Sequence, residues 1–187
     1  TIDGKSSDRA LHTLIFDDPE CRPFYYKNGK SFKDYHKEGE IFWHKYVTYT
    51  EGMSDYWDYS FFNVSVIRYA DVLLLYAECL NDKGETTEAI NIINKVRARV
   101  NVPALPLTMS KAEVLKHLQD KERPCELALE GSRWYDLVRW GIVEETLKAH
   151  NKPFVENYVD TKHQLFPIPH SEFLLNPDWE QNPNYSK

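Results

Sequence analysis

The sequence has no apolar run near the ~18 residues that a membrane helix needs. Its richest stretch, Val64 to Leu80, is interrupted by Arg68, Asp71 and Glu78. It has no excess of basic charge: 23 Lys+Arg stand against 29 Asp+Glu, a net of −6, which argues against a nucleic-acid partner. Cysteine is sparse. Cys21, Cys79 and Cys125 lack CxxC spacing, so a zinc site is unsupported and at most one disulfide could form. No GxSxG or HExxH occurs, and Cys125 lacks a recognisable His partner, so nucleophilic and zinc-hydrolase chemistry find no motif. His12, His36, His44, His117, His150, His163 and His170 show no metal-ligand spacing and read as structural or solvated. Asp55 and Asp58 lie in an acidic, aromatic loop that could hold Ca²⁺, but two carboxylates without a spaced ligand set are thin support for it. No cofactor or metal is expected. No signal peptide precedes Thr1, so nothing here addresses the protein to a compartment.

What is abundant is aromatic surface. More than half of the 5 Trp, 12 Tyr and 9 Phe fall before residue 63, in a third of the chain that also holds Gly4, Gly29, Gly39 and Gly52. Helical periodicity is poor there. Residues 1–63 therefore read as irregular, with a short strand near Ile41 to Thr48 and a hairpin around Asn28-Gly29.

From Val64 the pattern becomes helical. Val66, Tyr69, Ala70, Leu73, Ala77 and Leu80 recur at helical spacing, with Val72, Leu74, Leu75 and Tyr76 filling other faces; this predicts a helix buried on several sides. Gly84 suits a left-handed cap. A second helix carries Ala89, Ile92, Ile93, Val96 and Val100 on one face, with Lys95, Arg97 and Arg99 mainly off it and Pro103 and Pro106 ending it. Residues 64–102 thus predict an antiparallel helical hairpin that resembles one tetratricopeptide repeat. Ser110 and Glu113 form a capping box for a third helix. Pro124 requires a kink or a fresh helix start. Helix then resumes through Leu127, Trp134, Leu137 and Trp140, with a last turn or two over Ile142 to His150. Trp134 and Trp140, six apart, face opposite ways and read as core. Residues 151–187 read as an extended tail, which from Pro167 on carries Pro167, Pro169, Pro177 and Pro183 and reads as extended and turn structure. The fold class is mainly α.

Three separated motifs agree with one family. Residues 67–81 contain Arg68-Tyr69-Ala70-Asp71 and Tyr76-Ala77-Glu78. Residues 122–141 contain Glu122-Arg123, Glu126-Leu127, Glu130-Gly131, Arg133, Asp136-Leu137 and Arg139-Trp140-Gly141. The ending has Pro167-Ile168-Pro169, Glu172, Asn176-Pro177 and Gln181-Asn182-Pro183-Asn184-Tyr185. In that order, over roughly 41–185, they resemble the C-terminal part of the SusD-like (RagB/SusD) family. The resemblance implies a surface-exposed outer-membrane lipoprotein built on tetratricopeptide-like hairpins. Such a protein captures nutrients, mostly glycans as in starch utilization, and hands them to a TonB-dependent, SusC-like transporter without catalysis. Family members are far longer, so residues 1–187 are expected to be the C-terminal portion of such a domain, with the lipid anchor lying outside this sequence.

Charged and aromatic clusters are candidate sites. On a continuous helix Glu126 and Glu130 share a face about 5–6 Å apart, near the spacing of a retaining glycosidase pair. Their neighbours Glu122, Arg123, Arg133, Asp136 and Arg139 alternate in sign, so a structural ion-pair network is preferred. Arg68 and Asp71 are expected to pair with each other. The ligand site is placed on Tyr49, Asp55, Tyr56, Trp57 and Tyr59: sugars present flat C–H faces and hydroxyl edges, and this segment sets aromatic planes beside a carboxylate. Two functions follow: a glycan-capturing receptor, or a helical protein-interaction scaffold whose aromatics are core.

Overall fold

A computed structural model describes residues 6–18, 21, 31–46, 63 and 65–186. The chain is mainly helical and divides into two compact units, Thr1–Ser132 and Arg133–Lys187. The expected hairpin at Asn28-Gly29 lies outside the described residues.

In the first unit, α1 (Asp8–Thr13) is capped by Ser7, whose side chain accepts from the Ala10 N–H. It leads into β1 (Leu14–Ile15), which pairs antiparallel with β2 (Phe42–Trp43), Leu14 opposite Trp43 and Ile15 opposite Phe42. The expected strand over Ile41 to Thr48 is thus two residues long among those described, and Tyr46 at φ 67 leaves extended geometry. Buried Phe32, with the His36 and Phe42 rings tilted against it at 4.8 and 6.3 Å between centroids, packs this corner.

The hairpin forms from α2 (Tyr69–Asp82) and α3 (Thr86–Ala98). Gly84, at φ +88, closes α2 in a Schellman arrangement: its N–H donates to Asn81 O at 3.1 Å, and the Glu85 N–H donates to Leu80 O at 2.9 Å. Leu74, Ala77, Leu80, Ala89, Ile90, Ile92, Ile93 and Val96 bury one shared seam. Each large side chain there contributes about 1.5–3 kcal/mol by leaving water. Two expectations are corrected. Helix α2 begins at Tyr69, leaving Val66 90% exposed before it, and it is not buried on several sides: Tyr69, Val72, Leu75 and Tyr76 lie exposed. The apolar stripe is wider than the neighbouring helices cover. Helix α3 ends before the prolines, because Asn101 takes a left-handed φ of 51.

Helix α4 (Lys111–His117) starts with the expected capping box, Ser110 and Glu113 bonding each other's backbone N–H. Buried Asn81 donates to Lys111 O at 2.9 Å and accepts from Thr86 at 3.1 Å, so one amide ties the hairpin turn to α4. Val114 and Leu118 complete the core seam. Leu118–Glu122 then widens into a π turn, in which the Arg123 N–H donates to Leu118 O, five residues back. Pro124 follows in the first turn of α5 (Arg123–Glu126), where a missing N–H costs little. Widening followed by a fresh start is how this chain accommodates the proline. Helix α5 stops at Leu127, and Leu129 and Gly131, at φ 64 and 76, turn the backbone.

In the second unit, α6 (Ser132–Trp140) and α7 (Val143–Ala149) bury Leu137, Val143 and Leu147 together, with Trp134, Val138, Ile142, Val155 and Tyr158 packed around them. Trp134 is half-buried there, and the Arg139 guanidinium lies 4.3 Å over half-buried Trp140, so each ring is part core and part surface. The tail is not extended throughout, as the prolines suggested. It holds a 3-10 turn (Pro153–Asn157) and the short helices α8 (Asp160–His163) and α9 (His170–Leu175), because its prolines sit at helix starts, between helices or after the last one. Ile168, between two prolines that cannot donate, is held by Gln181, which accepts from its N–H at 2.8 Å and donates to its O at 2.9 Å. Asn182 donates to Phe166 O at 2.7 Å and Tyr185 to Leu165 O at 3.1 Å. Gln181-Asn182-Pro183-Asn184-Tyr185 therefore acts as a side-chain clasp on the Pro167-Ile168-Pro169 segment.

Candidate functional site

The residues expected to touch ligand, Tyr49, Asp55, Tyr56, Trp57 and Tyr59, lie outside the described residues. The motif at 122–130 lies within them. Glu122 is fully buried. It accepts from Arg9 Nη2 at 2.6 Å, from Arg97 Nη1 at 2.6 Å and from His117 Nε2 at 2.9 Å. Burial alone would push its carboxyl up, but the His117, Arg9 and Arg97 bonds outweigh that and bring it down to about 2. Glu126, buried a turn away, meets Arg99 Nη2 at 2.7 Å, Arg68 Nη2 at 3.2 Å and Arg9 Nε at 3.0 Å. The last contact is close but poorly aligned for a hydrogen bond. Glu130 is bonded by Lys45 and by Arg68 Nε, the latter at 2.7 Å. Burial again acts upward and the two cations act downward, leaving its carboxyl below the usual range.

Two sequence expectations change here. Glu126 and Glu130 do not share a helix face, since α5 ends between them; Arg68 joins them from outside. Arg68 and Asp71 do not pair with each other. Arg68 goes to the two glutamates, and Asp71 meets buried Arg123 at 2.8 Å. The expected ion-pair network is present, with most of its cations coming from α1, α3 and the segments at Lys45 and Arg68 instead of from alternation within the motif. The cluster draws α1, the α2 start, α3 and α5 onto one point. The cluster is closed: Glu122, Glu126 and Glu130 are each held by two or more basic side chains.

Two cavities accompany this frame. One, of about 820 Å³ in the first unit, runs beside Glu122 between Leu14, Trp43, Leu105 and Pro124. The other, of about 430 Å³ in the second unit, is walled by aromatic rings from 134 to 185. Sequence reasoning passed over this second set. Its available signal was the recurrence of Phe154, Tyr158, Phe166 and Tyr185 through a polar, proline-rich tail. Among the described residues no group of three or more His, Cys, Asp and Glu gathers to hold a metal, no helix is long and apolar enough to cross a membrane, and the cysteines form no disulfide.

A helical hairpin, a buried carboxylate–guanidinium knot and a Gln-Asn-Pro clasp together define a helical scaffold class. A SusD family profile matches residues 23–185, and the chain belongs to that family. It is 37% identical over 130 residues to SusD-like protein P38 of Formosa agariphila, covering 66% of this chain and 25% of that one, and 31% identical over 131 residues to SusD-like protein P2 of the same organism. A crystal structure of a SusD superfamily protein from Bacteroides vulgatus is similar over 98% of this chain and 41% of its own, with a TM-score of 0.77 and 29% identity. A SusD-like protein from Bacteroides fragilis is similar over 66% of this chain and 26% of its own, with a TM-score of 0.52 and 29% identity. The chain spans about a quarter of the length of the curated relatives it matches.

Proposed function

We propose that this chain is the C-terminal portion of a surface nutrient-binding protein. It captures oligosaccharide at the outer membrane and passes it to a TonB-dependent, SusC-like transporter, with no catalysis and with membrane attachment through a lipid anchor outside this sequence. SusD family membership is the observation that carries the reading. The closed charge cluster supports binding without chemistry. A glycosidase needs one carboxyl that stays protonated near neutral pH, and Glu130 is held in the opposite direction. Ligand contact is assigned to Trp57, flanked by Tyr56, Tyr59, Tyr49 and Asp55.

One observation favours the alternative of a protein-interaction scaffold. Tyr69, Val72 and Tyr76 recur along one exposed face of α2, 75%, 48% and 51% exposed. Protein binding without sugar binding would favour that reading.

The test is calorimetric titration of Trp57→Ala in the full-length protein against an oligosaccharide panel, with melting as control. A receptor that must release its ligand should bind in the micromolar to millimolar range, and losing one stacking platform, about 1.4 kcal/mol, weakens binding about tenfold. A normally melting variant that binds as wild type removes Trp57 from the site. One that melts far below wild type shows that the ring was core.

A further inference from the structure

We propose that the aromatic cleft of the C-terminal unit is a carbohydrate-contact site, seating the apolar face of one neutral pyranose ring; the proposal rests on the glycan-binding reading above and assigns contacts to residues other than those of the 49–59 segment. Trp134, Phe154, Tyr158, His163, Phe166 and Tyr185 wall a space of about 430 Å³, within the ~300–1,000 Å³ of small-molecule sites. The rings are fixed by contacts that owe nothing to a ligand. Trp134 meets Tyr158 edge-on at 6.2 Å and 80°, both packed on the Leu137 core. Tyr158 lies 5.8 Å from His163, and the Tyr185 hydroxyl is anchored on Leu165 O. Against this frame Phe166 and Phe154 remain 70% and 55% exposed, two large apolar rings spent on the cleft rim and not on the core.

The polar atoms select the ligand class. The Val159 N–H donates to His163 Nδ1 at 2.8 Å, which leaves Nε2 to carry the ring proton and act as a donor. The Tyr158 hydroxyl donates to Asp160 at 2.7 Å and that of Tyr185 to Leu165 O, so each phenol oxygen keeps lone pairs to accept with. Burial and the Asp160 neighbour push the Tyr158 phenol up to about 12, so it stays neutral at pH 7. The Asn157 amide adds a donor and an acceptor. Among the described residues that line the cleft there is no carboxylate, arginine or lysine; Asp160, bonded to the Tyr158 hydroxyl, and Lys162, 4.7 Å over the Tyr185 ring, stand behind the lining. The lining itself thus offers a charged ligand no direct ion pair, and a hydrocarbon would strand its polar atoms. A pyranose offers a C–H face to the rings and hydroxyls to the mixed donors and acceptors.

The test uses the full-length protein that carries these residues, with maltohexaose, laminarihexaose, xylohexaose and mannohexaose, and indole as the planar aromatic control. Saturation-transfer NMR and calorimetry read binding, and the Trp134 indole N–H resonance reports the cleft. At least one hexaose is expected to bind and shift Trp134, and Phe166→Ala or Phe154→Ala to weaken it about tenfold with unchanged melting. Variants that melt and bind as wild type overturn the cleft, as does binding of indole alone. Should a variant melt early, the wild-type titration decides: a hexaose that binds without shifting Trp134 overturns the proposal, and one that shifts it supports the proposal. If Trp57→Ala abolishes binding while the cleft variants do not, the cleft fails and the general reading survives. If the cleft variants weaken binding and Trp57→Ala does not, the cleft stands and the loop assignment fails. If no hexaose binds, both fail.

Discussion

Glu122→Gln tests the charge cluster most directly. The wild-type carboxylate is fully buried and accepts from two guanidiniums at 2.6 Å and an imidazole at 2.9 Å. Its bonds lower the carboxyl from the ordinary 4.5 to about 2, which at about 1.4 kcal/mol per pH unit corresponds to about 3 kcal/mol favouring the native charged form. The Gln variant keeps the shape and removes the charge, leaving Arg9 and Arg97 near a neutral amide; breaking a buried pair in this way costs about 3–5 kcal/mol. Both estimates give a large part of the stability of a domain this size, about 5–15 kcal/mol. The pH sign follows from the lowered carboxyl. Above about 4.5 Glu122 is ionised in folded and unfolded chains and its stabilisation is full. As pH falls from 4.5 towards 2 the unfolded chain takes the proton first, and the stabilisation drains away. Urea unfolding followed by far-UV circular dichroism at pH 7, 5, 4 and 3 should therefore show wild type losing its lead over Glu122→Gln as the pH drops. A variant within about 1 kcal/mol of wild type at pH 7, or a gap that does not narrow in acid, would refute the assignment.

Two further perturbations follow from the same geometry. Glu130→Gln removes a carboxylate that Lys45 and Arg68 share and should cost about 1–3 kcal/mol in urea unfolding; wild-type cleavage of a glycosidic bond that disappears in this variant would restore the enzyme reading. Gly84→Ala places a Cβ at φ +88 with no atom within 4 Å, so the cost is backbone strain alone, about 1 kcal/mol, seen as a lower melting temperature, and an unchanged melt would mean that the turn relaxes freely.

The helices were legible where their causes are local. The Ser110–Glu113 box and the Gly84 cap each act within a few residues, and the α3 stripe of Ala89, Ile92, Ile93 and Val96 needs one partner face. Where the cause is a competition between neighbouring signals, the sequence misleads. Val66 continues the α2 stripe yet precedes the helix, and Asn101 ends α3 before Pro103 can. The tail prolines from Pro167 on read as helix breakers, but Pro169 caps α9. A proline excludes helix behind it and permits helix ahead of it. Proline count alone therefore could not decide the tail.

The ion-pair partners were hidden for a different reason. Alternating signs within 122–139 suggested short-range pairing, as on an exposed helix face. Buried carboxylates follow another rule: each needs enough donors to offset the loss of water, and one helix turn cannot aim several guanidiniums at one oxygen pair. The donors must converge from separate elements, as Arg9, Lys45, Arg68, Arg97 and Arg99 do. Such a cluster forms once those elements are docked and not before, so its energy is spent on fixing where α1, α3 and the α2 start meet. An acid–base site asks the reverse, a carboxyl left short of partners so that its proton can move. The same glutamates cannot meet both demands, which is why a motif that reads as a catalytic pair on a continuous helix is here the joint of α1, the α2 start, α3 and α5.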